Sequence, residues 1–216
     1  MVDALVYIVL SIVEGLIIVF FSFGLFRIDV KDYWKEIVVT VSSISAATYY
    51  YNQHETLSQV STLLNIIALF LALVIVFRIS LLHSLYISVA GFVALLAAQL
   101  IFISGTSLVL DIDLAAIRSN DLIRYSLQIA GDILILLISL VLRKKRLWFT
   151  FVPYSPEITF KLTKSNLAIL MASILGIIIL SFVFKFDNLV IGTILALMCI
   201  TNLIVIGIMT EKRKEA

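Results

Sequence analysis

The chain has 216 residues, 62% hydrophobic and 14% charged, with a formal net charge of +2 and a mean hydropathy of +1.15. Soluble domains are about half apolar and about a quarter charged, so this composition excludes an ordinary water-facing surface, and the near-balanced charge excludes a nucleic-acid binder. A lone cysteine, Cys199, excludes a disulfide framework or a redox pair within the chain.

A helix needs about 20 mostly apolar residues to cross a bilayer. Seven segments qualify: 4–26, 36–51, 57–77, 82–104, 122–142, 167–184 and 189–209. The first carries Asp3 and Glu14, lacks a basic leading region and has no convincing small-residue cleavage site. It is therefore expected to stay as a span rather than be removed as a signal peptide. The second is short and holds Ser42, Ser43, Ser45 and Thr48. Ser42/Ala46 and Ser43/Ala47 are each four residues apart, which predicts small-residue faces turned to neighbouring helices; the alternative is a half-inserted segment. After the fourth span, residues 105–121 mix apolar side chains with Asp111, Asp113 and Arg118. That pattern predicts a short segment lying on the outer surface, a candidate ligand lid. Two carboxylates without further ligands are a weak calcium signal.

Between the fifth and sixth spans, residues 143–166 join Arg143, Lys144, Lys145 and Arg146 to Trp148, Phe149, Phe151, Tyr154 and Phe160. A basic cluster with aromatic side chains is expected at the membrane surface, contacting anionic lipid or a partner protein. Pro153 and Pro156 make the middle of this stretch non-helical. Counted over the whole chain, thirteen Lys and Arg fall on one side of the spans and three, Arg118, Arg124 and Lys185, on the other. Positive charge is retained in the cytoplasm, so the N-terminus is predicted outside and the C-terminus inside. An even number of spans would spoil this division. The expected fold is a single all-α domain over residues 1–216, a polytopic bundle of about seven transmembrane helices in the plasma membrane.

Two acids fall near the centres of spans, Glu14 in the first and Asp132 in the fifth. An ionised carboxylate at mid-bilayer costs about 3 kcal/mol on insertion scales, so such a group faces the bundle interior and has a partner or a role. One reading is proton or cation coupling, or a counter-ion for a cationic ligand. The other is a neutral acid hydrogen-bonded to a neighbouring helix, for which Asn65, Gln99, Gln128 and Asn202 are the available polar partners. Cys199 and His83 lie at different depths, which argues against a membrane cysteine peptidase. His54 and Glu55 fit a solvated outer turn. No nucleotide, metal or cofactor motif is present, so no catalytic residue is assigned and no enzyme activity or cofactor is expected.

The stretch 25–37 (LFRIDVKDYWKEI), with 77–99 (FRISLLHSLYISVAGFVALLAAQ) and 147–153 (LWFTFVP), resembles the membrane sensor region of Agr-type histidine kinases of Gram-positive Bacillales. That region also starts with an acid-bearing helix followed by a basic aromatic turn. The resemblance implies signal transduction of the quorum-sensing kind, with a peptide or hydrophobic ligand bound at the outer turns and outer helix halves. The sequence departs from such kinases in carrying no phospho-acceptor histidine and no ATP-binding motif after the seventh span. The resemblance then implies a sensor without a kinase, signalling to a partner, with homodimerisation as a further implication. The alternatives from the residues are a small proton- or cation-coupled carrier, or subunit of one, and a structural subunit of a membrane complex.

Overall fold

Long aliphatic runs free of proline form helices, and this chain is built from them. A computed structural model describes residues 2–58, 60–110, 117, 120–150, 164–183 and 189–215. Among these are seven helices of fifteen residues or more and no strand. They are α1 (Val2–Leu25), α2 (Trp34–Asn52), α3 (Ser61–Ile75), α4 (Leu81–Leu110), α5 (Asp121–Lys144), α6 (Lys164–Val183) and α7 (Leu189–Glu215). A 3-10 turn, Val30–Tyr33, follows α1, and a single helical turn, Glu55–Ser58, precedes α3.

Four helices are long and apolar enough to cross a membrane by length and composition: Leu5–Leu25, Leu81–Val109, Asp121–Lys144 and Val190–Lys212. Helix α2 is diluted by serine, threonine and tyrosine. Helix α3 starts at Ser61, whose hydroxyl donates to the Ser58 carbonyl at 2.9 Å, and its 15 residues span about 22 Å, less than a hydrocarbon core of about 30 Å. Within α6, the stretch Asn166–Ile179 is apolar.

Helix α4 is the hub. Its apolar stretch is 72% buried, against 22–28% for the other three long helices, so it sits inside the bundle while the others keep a lipid-facing side. It packs on α1, α3, α5, α6 and α7, and α2 is held on the outside by α1 and α3. Helix α4 also continues to Leu110, so the expected surface segment 105–121 begins as helix; Asp111, Asp113 and Arg118 lie outside the described residues.

The inward face of α2 differs from the expected one. Ile37, Val41, Ser45 and Thr48 are buried, whereas Ser43 and Ala46 are exposed and the Ser43 hydroxyl bonds back to the Val39 carbonyl at 2.9 Å. The 37–41–45–48 row carries the larger apolar side chains, Ile37 and Val41, which make more van der Waals contact with the neighbouring helices than the serine–alanine row could.

Helices α1 and α2 run antiparallel, and side chains tie helix ends together. The Tyr7 ring of α1 lies tilted against Tyr49 of α2 at 5.9 Å, and its hydroxyl accepts from Asn52. At the opposite end, Tyr33 meets Phe77. At that end α1, α3 and α5 are each followed by an arginine in the left-handed region: Arg27, Arg78 and Arg146, with φ of 58°, 54° and 54°. After α1 and α5 the next residue donates back into the helix, Ile28 N–H to Phe23 at 2.9 Å and Leu147 N–H to Leu142 at 2.9 Å. These are Schellman-type closures, which usually place glycine where arginine stands here.

Candidate functional site

The face of α5 formed by Gln128, Asp132, Ile135 and Ser139 repeats at four-, three- and four-residue steps, so all four side chains point at α1 and α4. Close approach to α4 is permitted by Gly131, where a Cβ would lie 3.3 Å from the Gln99 Cα and backbone nitrogen. The result is a polar junction of three helices. Gln99 donates to Glu14 Oε1 at 2.7 Å, and Gln128 donates to Glu14 Oε2 at 3.1 Å. Each carboxylate oxygen therefore has one amide donor and keeps further acceptor capacity. Asp132 is 4% exposed and its Oδ1 has no hydrogen-bond partner.

Glu14 also faces a cavity of about 220 Å³ between α1, α2, α3 and α4. Its walls are unusually polar for a membrane interior: Tyr7, Ser11, Ser45, Thr48, Asn65 and Gln99 line it. Thr48 donates to the Asn65 side-chain oxygen at 2.8 Å, and also bonds the Ile44 carbonyl at 2.8 Å. The cavity runs along α1 from Tyr7 to Val19, about 18 Å at 1.5 Å per residue, so it reaches roughly mid-bilayer depth. Exposed Asn52 and half-buried Ser61 and Thr62 line the end where α1 begins.

The other end is apolar. Beyond Val19 and Leu69 stands an aromatic cluster in which Phe23 meets Phe77 edge-on at 5.3 Å, Tyr33 meets Phe77 at 5.5 Å, and Phe23 meets Tyr33 at 6.5 Å. Phe23 is wholly buried. Edge-to-face arrangements of this kind are the favoured aromatic packing.

No protein-family model, no curated protein and no solved structure matches this chain. The site therefore has to be read from its own chemistry.

Of the polar side chains singled out in the sequence, Glu14, Gln99, Gln128 and Asp132 come together, and Asn65 joins the same cavity through Thr48 rather than Glu14. Asn202 does not take part: it lies on the exposed side of α7 and donates to the Met198 carbonyl of its own helix at 3.0 Å. In the basic cluster, Lys144, Lys145 and Arg146 are exposed, whereas Arg143 turns inward. Its guanidinium lies 4.0 Å from the Phe20 ring centre and donates to the Phe20 carbonyl at 3.4 Å. Trp148 is half-buried, 5.8 Å from the Arg27 guanidinium. Among the described residues no group of three or more His, Cys, Asp or Glu is placed to hold a metal.

One feature had no sequence signal beyond its aromatic composition. Residues 147–150 form a strap from the end of α5 across to α1 and α7. Phe149 N–H donates to the Leu25 carbonyl at 2.7 Å, and the Phe149 ring lies against Phe26 and over Gly207. Thr150 donates to Glu211 of α7 through its N–H at 2.8 Å and through its hydroxyl. The strap thus joins the end of α1, which carries Glu14, to the end of α7.

Proposed function

We propose that this chain is a membrane sensor module. Its polar cavity receives part of a ligand from the outer side, and the strap passes the resulting shift of α1 to α7 and on to a partner protein. The observation that carries the reading is the shape of the cavity: it holds Glu14 midway, has exposed and half-buried polar residues at one end, and has the Phe23, Phe77 and Tyr33 cluster standing beyond the other. A carrier must present its site to both sides in turn, whereas a receptor needs only one opening. At about 220 Å³ the cavity is below the usual range of about 300–1,000 Å³ for a drug-sized ligand, so it suits one side chain or head group of a larger molecule rather than a whole peptide. The orientation, N-terminus outside, rests on the distribution of Lys and Arg.

A ligand transmits a signal only if it binds two bundle states with different affinity. Helix α1 is a suitable moving part, because it contacts the ligand cavity through Glu14 and the strap through Leu25. A second reading, a proton- or cation-coupled carrier, is favoured by one observation, the buried and unpartnered Asp132 Oδ1 beside Glu14.

Crosslinking in native membranes followed by mass spectrometry of co-purifying proteins separates the readings. A histidine kinase, response regulator or peptide-processing protein bound through Glu211 and the end of α7 is the expected result. A transporter subunit, or no partner, would overturn the sensor reading.

A further inference from the structure

Helix α4 presents a second recess on its opposite side. Ala90, Ala94, Ala97, Ala98 and Ile101 repeat at helical spacing, two residues out of phase with Phe92, Leu96 and Gln99, which face the polar cavity. Two residues at 3.6 per turn is a rotation of about 200°, so the two rows lie back to back. Helices α5 and α7 both pack on α4, and between them a cleft of about 730 Å³ stays open over the alanines. Its walls are Leu134 and Ile138 from α5 and Leu197 and Ile204 from α7. Of the polar groups along it, the Tyr86 hydroxyl donates to the Leu203 carbonyl and Glu211 accepts from Thr150.

At one end the cleft is bounded by the strap, Leu147, Trp148 and Phe149, with exposed Lys212 at its edge. Exposed Lys144, Lys145 and Arg146 stand at the adjoining end of α5.

We propose that this cleft binds one acyl chain of an anionic phospholipid whose phosphate is held at the basic end by Lys212 and the Lys144–Arg146 cluster. From Tyr86 to Ile101 the cleft follows α4 for about 22 Å. Charge selects this occupant over a helix of a partner or of a second copy. An apolar slot ending in an interfacial tryptophan and several exposed cations matches a molecule with an apolar tail and an anionic head. The strap gives the site a consequence, because Phe149 and Trp148 touch both the lipid slot and the end of α1. This inference does not depend on what the polar cavity binds.

The full-length protein in nanodiscs containing phosphatidylglycerol with a diazirine-bearing acyl chain provides the test. Ultraviolet crosslinks mapped by mass spectrometry are expected to concentrate on peptides containing Ala94, Ile138 and Ile204, and to fall when Ile138→Trp fills the wall without entering the helix core. Ala94→Phe should act in the same way, and Ile67→Trp, on the exposed face of α3, should not. Lys212→Gln should lower the preference for phosphatidylglycerol over phosphatidylcholine about fivefold, the size of one Lys–lipid interaction. Labelling spread evenly over all exposed helix faces, labelling unchanged by Ile138→Trp, or crosslinks from the cleft to a second copy would each overturn the proposal. Equal labelling by the two lipids would overturn the phosphate contact.

Discussion

The two recesses on either side of α4 differ in what made them. The polar cavity is built by side chains: Gln99 pairs with Glu14 and Thr48 with Asn65, from four helices. The apolar cleft is built by the absence of side chains, alanines flooring a gap that α5 and α7 do not fill. The first kind of recess is held by directional hydrogen bonds, and the second only by the packing of its walls. The polar side should therefore be the brittle one, sensitive to single atoms. The apolar side should tolerate changes of size until it is filled.

The largest expected effect follows from removing the acceptor. Glu14→Leu strands the Gln99 and Gln128 amides and should destabilise the bundle by about 2 kcal/mol, while Glu14→Gln, which keeps an acceptor oxygen, should cost clearly less. Unfolding titrations in mixed micelles read the difference, and equal costs for the two variants would remove the three-helix junction from the account. Next comes the backbone contact beneath it. Gly131→Ala places a methyl 3.3 Å from the Gln99 backbone and should cost about 1–2 kcal/mol, because a backbone cannot move aside as a side-chain tip can.

A smaller effect is expected at the strap. Thr150→Val keeps the N–H bond to Glu211 but removes the hydroxyl, and should cost about 1 kcal/mol. The signature is local: faster amide hydrogen exchange at Phe149 and Thr150 with little change in α4. The smallest is a gain. Arg78 holds φ of 54° at an exposed position, and Arg78→Gly should stabilise by about 0.5 kcal/mol by relieving left-handed backbone strain. A loss of stability there would mean the guanidinium has a role that outweighs its backbone conformation.

The sequence is informative where polar atoms interrupt apolar runs. Glu14, Gln99, Gln128 and Asp132 stand out because each is costly in lipid, and the same cost drives them together. Asn202 looked the same in sequence, yet it is satisfied by its own helix, an outcome that composition cannot distinguish from a contact across helices. The inward face of α2 was misread because small residues mark close approach only if larger apolar ones do not compete for the interface; here Ile37 and Val41 win it. The start of α3 at Ser61 was not legible, since residues 58–61 contain neither glycine nor proline. The cleft was not legible at all: only the spacing of α5 and α7 around Ala90, Ala94, Ala97 and Ala98 leaves the space open.

The one-sided cavity is the central claim, and thiol accessibility tests it most directly. In a Cys199→Ala background, Thr62→Cys near the mouth and Ser45→Cys in the cavity wall can be challenged with a membrane-impermeant thiosulfonate added to either face of sealed vesicles. The account predicts modification of both from the outer face and of neither from the cytoplasmic face. Modification of Ser45→Cys from the cytoplasmic face, alone or together with the outer one, would contradict a one-sided cavity and would make alternating access the better description.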